Sequence, residues 1–399
     1  MPLLSVVIPT RNRQDYLLDS VSLALANLQD AEIVVCDNSD DDRLRPRLAE
    51  MVASGRVNYH FAEQQLSVVG NFETALSMSR GDFVLFIGDD DAVGPGLEEI
   101  ARWAQAQRVD AVVSYRSSFL ASYFWPGVKS RYFGDAYAAH LFVNAFNGRC
   151  HAIDATEALD AVASRLGDGL GELPRAYHGL ISRELIERIR ARHGHLFGGV
   201  SPDIYSATLI AAHCQKAVVV DYPFVIPGAS PTSTAGQGAE RSDRGSLRST
   251  EHIARFGDGL QWDARIPAFY SPHTVWAYSL CKALEQVPQL GVQPAYGRLY
   301  AVCLIYHRRH WPELRLAMRA LAREQGAWRV GWQTVRGVLS EFGRQGRRLG
   351  LRLLHPRAGG SAQRYGQQPR ISDAFAALGR HIQAEGILLQ LPRDLQGRP

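Results

Sequence analysis

The alternation of short apolar runs with stretches of helical apolar spacing in the first hundred residues constrains the fold more than any other feature. It predicts strands at 3–8, 32–36, 57–61 and 83–87, with helices at 14–28 and 69–79 between them. Strands that alternate with helices form a doubly wound, mostly parallel sheet. We therefore expect an α/β fold that binds its ligands at the carboxyl ends of the strands.

The rest of the chain continues this pattern and then becomes helical. Further strands are predicted at 111–115 and 217–221, and further helices at 184–192 and 205–213. A stretch rich in Gly, Ser, Thr and Pro at 227–245 indicates a linking or functional loop. From residue 252 onward the apolar spacing is mostly helical.

Composition limits the cellular setting. With 399 residues and 46% hydrophobic content, the chain can bury a large core. The five cysteines are widely spaced without a C-x-x-C pair, which argues against a disulfide framework or a zinc site and favours a reducing compartment. We see no secretory signal and no apolar run long enough to span a bilayer. The expected location is the cytoplasm, either free or peripheral on the inner face of the cytoplasmic membrane.

Charge is distributed unevenly. Residues 301–360 contain twelve arginines and three glutamates, a balance of +9, which leaves −5 for the rest of a chain whose total is +4. Such asymmetry favours an anionic surface as partner, although a general preference for arginine is an alternative, because the chain has only three lysines. Nucleic acid is not expected as a partner, since the acidic body would oppose it.

Apolar residues interleave with the arginines of 301–360, which predicts helices with an apolar side and a cationic side. Such helices bind anionic bilayers, but an apolar side that packs on the catalytic domain or on a second subunit of a homodimer explains the pattern equally well. Glycines are expected to weaken a continuous helix here; they are Gly331, Gly337, Gly343, Gly346 and Gly350.

Three consecutive aspartates, Asp89, Asp90 and Asp91, follow the fourth predicted strand. Adjacent carboxylates repel one another, and a divalent cation relieves the repulsion by accepting hard oxygen ligands. Mg²⁺ or Mn²⁺ bound here would neutralise a diphosphate leaving group. A solvated acidic turn is the alternative, and the residues alone do not decide between the two.

Four segments in this order resemble the donor half of family 2 glycosyltransferases over roughly the first hundred residues. They are VVIPTRNR at 6–13, EIVVCDNS at 32–39, RGD at 80–82 and FIGDDD at 86–91. The resemblance implies the GT-A fold, inversion at the anomeric carbon and a UDP- or dTDP-sugar donor. A segment around Gly70, Asn71 and Phe72 resembles the subgroup that assembles surface polysaccharide or O-antigen.

The resemblance also implies roles for individual residues. The metal motif D-x-D would fall on Asp89, Asp90 and Asp91, and Asp37 would take the base or the ribose. The expected donor-binding residues are Pro9, Thr10, Arg11, Arg13, Asp37, Asn71, Asp89 and Asp90. Two departures leave the metal-binding Asp undecided: Gly88 stands where many relatives have Asp, and Asn38-Ser39-Asp40 replaces the commoner Asp-Gly-Ser.

An inverting transfer needs a general base near the acceptor hydroxyl. Asp203 is the candidate, because Ser201 and Pro202 predict the start of a helix there and the resemblance implies a base on a comparable segment. An Asp in a first helical turn is also favoured by the helix dipole alone. Several histidines are weaker candidates for contacts with acceptor, phosphate or metal: His178, His193, His195, His252 and His273.

These observations predict an inverting, metal-dependent glycosyltransferase with a polysaccharide, lipopolysaccharide or polyprenyl-linked acceptor. The expected organisation is a nucleotide-sugar half at 1–115, an acceptor half at 116–226, a loop or lid at 227–250 and a basic helical region at 251–399. A non-catalytic nucleotide-sugar or membrane assembly subunit and a nucleotidyltransferase remain alternatives. A dinucleotide-dependent dehydrogenase is disfavoured, because G-x-G-x-x-G is absent after the first strand.

Overall fold

In the computed structural model, which describes residues 1–114, 118–233, 247 and 250–393, strands and helices alternate until about residue 230 and helices predominate afterwards. The strands are β1 (Leu4–Thr10), β2 (Ala31–Asp37), β3 (Val57–Phe61), β4 (Phe83–Phe86), β5 (Ala92–Val93), β6 (Ala111–Val113), β7 (Ala121–Phe124), β8 (His140–Val143), β9 (Cys150–Ile153), β10 (Gly179–Ser182), β11 (Ala217–Val220), β12 (Val225–Ile226), β13 (Gly228–Ala229) and β14 (Gln363–Tyr365).

The helices are α1 (Gln14–Asn27), α2 (Arg45–Ala53), α3 (Val68–Met78), α4 (Leu97–Ala106), α5 (Ala155–Ala163), α6 (Arg183–His193), α7 (Pro202–His213), α8 (Glu251–Ala254), α9 (Pro272–Leu284), α10 (Tyr296–Tyr306), α11 (Trp311–Gln325), α12 (Ala327–Leu354) and α13 (Ile371–Ala384). Within the described residues, no helix combines the length and the hydropathy that a bilayer crossing requires.

An eight-stranded sheet forms the centre of the molecule, in the order β3-β2-β1-β4-β10-β6-β11-β9. The pairs among β1 to β4 are parallel, whereas β10 runs antiparallel between β4 and β6, and β9 runs antiparallel at the edge. All seven residues of β1 are buried, as expected for a strand covered on both faces. The predicted α/β class, with a mostly parallel sheet followed by a helical region, is confirmed.

Strand register places the sequence motifs at one edge of this sheet. Leu4 pairs with Ala31 at the start of β1 and β2, so Thr10 and Asp37 end their strands side by side. Gly81 is required just before β4, because a Cβ there would lie 2.5 Å from the backbone nitrogen of Ser5. The turn that follows β4 therefore emerges next to the end of β1.

Two small sheets attach the second half of the chain to the first. The strand β12 pairs with β5, directly after the aspartate turn, and β13 pairs with β7. A Cβ on Gly228 would lie 1.7 Å from the backbone oxygen of Asp90, so only glycine allows this approach. The segment after β12 is thereby held against residues 90 and 91.

The helical region contains the glycines that were expected to weaken a continuous helix around residues 331–350. Helix α12 is nevertheless continuous over 28 residues. Gly337 is needed for packing: a Cβ there would lie 2.7 Å from the oxygen of Gly297 on α10. Close crossing of the two helices at these glycines offsets their low helix propensity.

The end of the chain returns to the first core. Strand β14 pairs with β8, and α13 packs against α1. Ile371 and Leu378 are fully buried in the same apolar cluster as residues of β1. The last part of the predicted region 251–399 thus lies in the core of the α/β body, while the boundaries near 115, 226 and 250 stay predictions.

Candidate active site

The ends of β1 and β2 form the first wall of the site. The backbone N–H of Asn38 donates to the oxygen of Thr10 over 3.0 Å, and Arg11 donates to the oxygen of Asn38 over 2.7 Å. Asp37 is buried and accepts from the N–H of Ser39 at 2.9 Å and from the hydroxyl of Tyr59 at 3.1 Å. Burial raises the pKa of Asp37, although the bonds from Ser39 and Tyr59 oppose it.

The loops after these strands are joined to each other and to α3. Asn12 adopts a positive φ of 53°, and its backbone N–H donates to the hydroxyl of Ser39 over 2.8 Å. Arg11 pairs with Asp40 at 2.8 Å on the rim. Asn71 on α3 is buried and points its amide nitrogen at the oxygen of Thr10, 3.4 Å away. Among the described residues, the Asn71 Oδ1 has no hydrogen-bond donor.

Asp89 connects the turn after β4 to the first wall. It is fully buried, and it accepts from the Thr10 hydroxyl at 2.6 Å and pairs with the Arg13 guanidinium at 2.8 Å. Burial raises the pKa of Asp89 to about 7 despite the opposing effect of Arg13. Asp89 is thus a buried anchor that holds Arg13 over the turn.

Asp91 organises the opposite side of the turn. One of its oxygens accepts from the N–H of Gly228 at 2.6 Å. The other lies 2.6 Å from His178 Nε2 and also accepts from the Tyr177 hydroxyl and the N–H of Gly88. Burial opposes ionisation of Asp91, but His178 and the backbone donors hold its pKa below the ordinary value. Its oxygens are therefore already satisfied by the protein.

Asp90 lies between these two carboxylates and is the least engaged. Its Oδ2 accepts from the N–H of Ser230 at 2.9 Å, whereas its Oδ1 lies 3.6 Å from Arg13, beyond hydrogen-bond distance. Burial raises the pKa of Asp90. In the described part of the chain, no cluster of three or more His, Cys, Asp or Glu side chains is arranged to hold a metal ion by itself.

Tyr177 explains why glycine occupies position 88. A Cβ on Gly88 would lie 2.7 Å from the Tyr177 hydroxyl and 2.9 Å from Asp91 Oδ2. The space that an Asp side chain would fill is thus taken by a tyrosine that bonds to Asp91. The departure of Gly88 from the family pattern thus accompanies the bond between Tyr177 and the aspartate turn.

Asp203, the predicted base, lies within electrostatic range of His178 and Asp91. It lies in the first turn of α7, whose N-cap is Ser201. The helix starts at Ser201 and Pro202 as predicted, but the Ser201 side chain makes no capping bond, and its backbone N–H donates to the hydroxyl of Ser279. Burial raises the pKa of Asp203 to about 6; His178 and Arg175 oppose the shift, and the nearby charge of Asp91 adds to it.

Comparisons with known proteins address the identity of this domain. Residues 5–152 match the model of the family described as Glycosyl transferase family 2. This part of the chain is therefore similar to a family 2 glycosyl transferase domain. Its segment of 99 residues is 31% identical to a GalNAc(5)-diNAcBac-PP-undecaprenol beta-1,3-glucosyltransferase of Campylobacter jejuni, covering 24% of this chain. The match spans about a third of that relative, 32% of its length.

Two solved structures are similar at low sequence identity. S. aureus TarS 1-349, in complex with UDP-GlcNAc, is 14% identical with a TM-score of 0.43, covering 81% of this chain and 92% of that one. The mannosyltransferase PcManGT from Pyrobaculum calidifontis, in complex with GDP-Man and Mn2+, is 15% identical with a TM-score of 0.38, covering 84% and 87%. At these TM-scores the likeness supports no conclusion about this chain.

The structure brings the predicted donor residues near the carboxyl ends of β1, β2 and β4. Thr10, Arg13 and Asn71 surround the aspartate turn. Pro9 is buried within β1, opposite Cys36 of β2. Arg11 reaches the rim, where it also pairs with Glu251 at 3.1 Å. The roles of these residues toward a donor stay predictions.

Of the candidate histidines, His178 alone contacts the aspartate turn in the described structure. His193 pairs with His213, and His195 pairs with Tyr205, each at 2.8 Å. The two histidines considered as further metal ligands bond to backbone oxygens: His252 to Val200 at 2.7 Å and His273 to Gly167 at 2.9 Å.

Several site residues were not identified from the sequence. Tyr177 and Arg175 precede β10, which is short and was not predicted. Trp125 donates its indole N–H to the oxygen of Asp90 at 2.9 Å, again from a distant segment. Ser230 belongs to the predicted loop or lid at 227–250, of which residues 234–246, 248 and 249 lie outside the described residues. Only long-range pairing brings these side chains to the turn.

Proposed function

We propose that this protein is an inverting, metal-dependent glycosyltransferase that moves a sugar from a nucleotide-sugar donor, a UDP- or dTDP-sugar, to a lipid-linked or glycan acceptor. The observation that carries the proposal is that His178 connects the turn 89–91 with Asp203. His178 bonds to Asp91 and also interacts electrostatically with Asp203. This common neighbour supports placing the donor-side carboxylates and the candidate base in one site.

The donor side combines a cation, an amide oxygen and a carboxylate. Arg13 offers a guanidinium held in place by Asp89, and the unsatisfied Oδ1 of Asn71 can accept a hydrogen bond from a ligand. Asp90 is the metal ligand that fits best, since its Oδ1 is only loosely paired with Arg13 at 3.6 Å, whereas Asp89 pairs with Arg13 at 2.8 Å and Asp91 bonds to Gly228. One carboxylate suffices where phosphate oxygens and water complete the shell. Mg²⁺ or Mn²⁺ bound here would neutralise charge on the leaving diphosphate.

The acceptor side supplies the proton acceptor. In an inverting transfer, the acceptor oxygen attacks the anomeric carbon on the face opposite the nucleotide, and the bond from that carbon to the diphosphate oxygen breaks. Asp203 takes the proton of the attacking hydroxyl. Its pKa of about 6 leaves it ionised near neutral pH, yet more basic than an ordinary carboxylate.

The class of acceptor is supported by the Campylobacter jejuni relative, whose name gives a glucosyltransferase acting on a diphosphate-linked undecaprenol glycan. We extend to this chain the general class, a polyprenyl-diphosphate-linked or growing polysaccharide acceptor. Because the match covers 24% of this chain, we extend neither the transferred sugar nor the linkage.

Two substitutions test the proposal by separating donor binding from turnover. Asp203→Asn should retain donor affinity and lower the initial rate roughly 10²-fold or more, the usual effect of losing a general base. Asp90→Asn should instead remove the Mg²⁺- or Mn²⁺-dependent part of donor binding. Calorimetry with a panel of UDP- and dTDP-sugars, and release of the nucleotide with and without chelator, measure both properties.

Glu184→Gln is the matched control, because Glu184 lies in the first turn of α6 as Asp203 does in α7. It should change stability by at most about 1 kcal/mol and leave turnover intact. Full activity of Asp203→Asn would move the base to another carboxylate. Donor binding without any metal-dependent turnover in the unmodified protein would favour the non-catalytic assembly subunit.

A further inference from the structure

Helix α12 is attached to the body along a single face. Its buried residues are Val330, Thr334, Gly337 and Glu341, spaced four, three and four residues apart. Since an α-helix has about 3.6 residues per turn, these positions line one side of the helix. Packing against α10 accounts for this face, with Gly337 against Gly297.

The opposite side of α12 carries a second apolar row, which we call the apolar stripe. It repeats the same spacing and consists of Trp328, Trp332, Val335, Leu339, Phe342, Leu349 and Leu353. Their exposures range from 50% for Val335 to 86% for Trp328. Large side chains this exposed, in one continuous row, indicate an interaction surface.

On α12 the exposed charged residues all have one sign, and on α11 the exposed acidic residue is Glu324. The exposed arginines of α12 are Arg329, Arg336, Arg347, Arg348 and Arg352. The single acidic residue of the helix, Glu341, faces the body, where it is fully buried and bonds to Arg298 and Arg344. The neighbouring helix α11 adds exposed Trp311 and Leu316 together with three more exposed arginines: Arg315, Arg319 and Arg323.

The orientation of the apolar stripe is fixed by the buried face. Arg298 of α10 bonds to Glu341 of α12. Arg298 also pairs, at 2.9 Å, with Asp168, which follows α5. The close approach at Gly297 and Gly337 prevents α12 from rolling without a clash. The stripe is therefore presented outward by a rigid support.

We propose that the apolar stripe lies on the surface of an anionic lipid bilayer. Trp328, Trp332 and Phe342 would enter the boundary between headgroups and acyl chains, and the flanking arginines would contact lipid phosphates. With six arginines in 28 residues, the helix suits a position in the plane of the interface rather than across the bilayer. A second copy of the chain is a less suitable partner for the stripe, because a two-fold symmetric contact would place the arginines of both copies opposite one another in one interface.

Vesicle co-sedimentation of the full chain tests this inference independently of any transfer activity. The protein should bind vesicles of phosphatidylcholine mixed with phosphatidylglycerol, bind pure phosphatidylcholine far less, and be released by salt. Replacing Arg329, Arg336 and Arg347 by Gln should lower the partition coefficient roughly 100-fold, since each arginine contributes about fivefold near an anionic surface. Trp328→Ala with Trp332→Ala should lower it by at least about tenfold.

Control variants change exposed arginines and exposed apolar residues elsewhere on the surface. One control replaces three exposed arginines near α2 by Gln and so removes the same charge; they are Arg43, Arg45 and Arg47. The other control combines Val52→Ala with Leu388→Ala, which removes exposed apolar side chains elsewhere. Both controls should bind vesicles as the unmodified chain does.

Absence of binding at low salt, or equal loss in test and control variants, would overturn the proposal. A dimer in sedimentation velocity that Trp328→Ala with Trp332→Ala dissociates would assign the stripe to a second copy instead.

Discussion

At the scale of single residues, two carboxylates that share one histidine are pushed in opposite directions. His178 and backbone donors hold the pKa of Asp91 below its usual range, whereas burial raises the pKa of Asp203 to about 6. When the pKa values of two carboxyl groups shift in opposite directions, one group stays charged and the other can exchange a proton near neutral pH. This difference supports the proposed role of Asp203 as the proton acceptor.

This difference predicts a pH dependence for transfer. A carboxyl group whose pKa is raised to about 6 acts as a base above that pH and becomes protonated below it. We expect kcat/KM to fall about tenfold per pH unit below about pH 6. Initial rates from about pH 5 to pH 8 check this, with Glu184→Gln as the control that keeps the profile. A flat profile, or the same acidic limb in the residual activity of Asp203→Asn, would assign the titration to another group.

The sequence was informative about residues that lie near each other in the chain and much less so about distant ones. Thr10, Arg13 and the three aspartates could be grouped because consecutive parallel strands end at the same edge of a sheet. Tyr177 and Trp125 could not be placed there, because their approach depends on β10 and on strands only four residues long. Short strands carry too few alternating positions to be distinguished from loops.

At the scale of elements, glycines on α12 have two opposite roles. Gly337 permits the crossing with α10, where a Cβ would lie 2.9 Å from the Cβ of Ala301, while Gly343 has nothing within 4 Å of such a Cβ. From the sequence, the five glycines indicated a weak helix. Packing overrides propensity at this crossing, which only the paired helix reveals.

A pair of alanine substitutions should therefore act with opposite signs. Gly337→Ala forces the two helices apart and should lower the free energy of unfolding by about 1–3 kcal/mol. Gly343→Ala meets no neighbour and should raise it by about 0.5–1 kcal/mol through improved helix propensity. Urea denaturation of both variants, followed by far-ultraviolet circular dichroism, measures the difference. Equal effects of the two changes would contradict the assigned crossing.

At the scale of the whole molecule, the last segment of the chain packs back against the α/β body. The α/β body was predictable from alternating strands and helices, and the helical character of the region after residue 250 was predictable from apolar spacing. The packing of the last segment against the first core was not predictable, since apolar periodicity identifies the buried face of a helix but not the element on which that face packs. Trp103 of α4 donates its indole N–H to the oxygen of Pro392, and Tyr123 of β7 donates to the oxygen of Gln368, at 2.8 and 2.7 Å.

This closure predicts that α13 supports the stability of the whole α/β body. Leu378 is fully buried in the cluster that includes residues of β1 and α1, so Leu378→Ala should lower the free energy of unfolding by about 2–5 kcal/mol. Leu388→Ala is the matched control, because Leu388 is 75% exposed and its truncation should change stability by less than about 0.5 kcal/mol. Guanidinium denaturation followed in parallel by tryptophan fluorescence and circular dichroism distinguishes the possibilities. If α13 belongs to the body, the midpoint of the main transition shifts in both signals; if it were an independent appendage, Leu378→Ala would add a small early transition and leave the main midpoint unchanged.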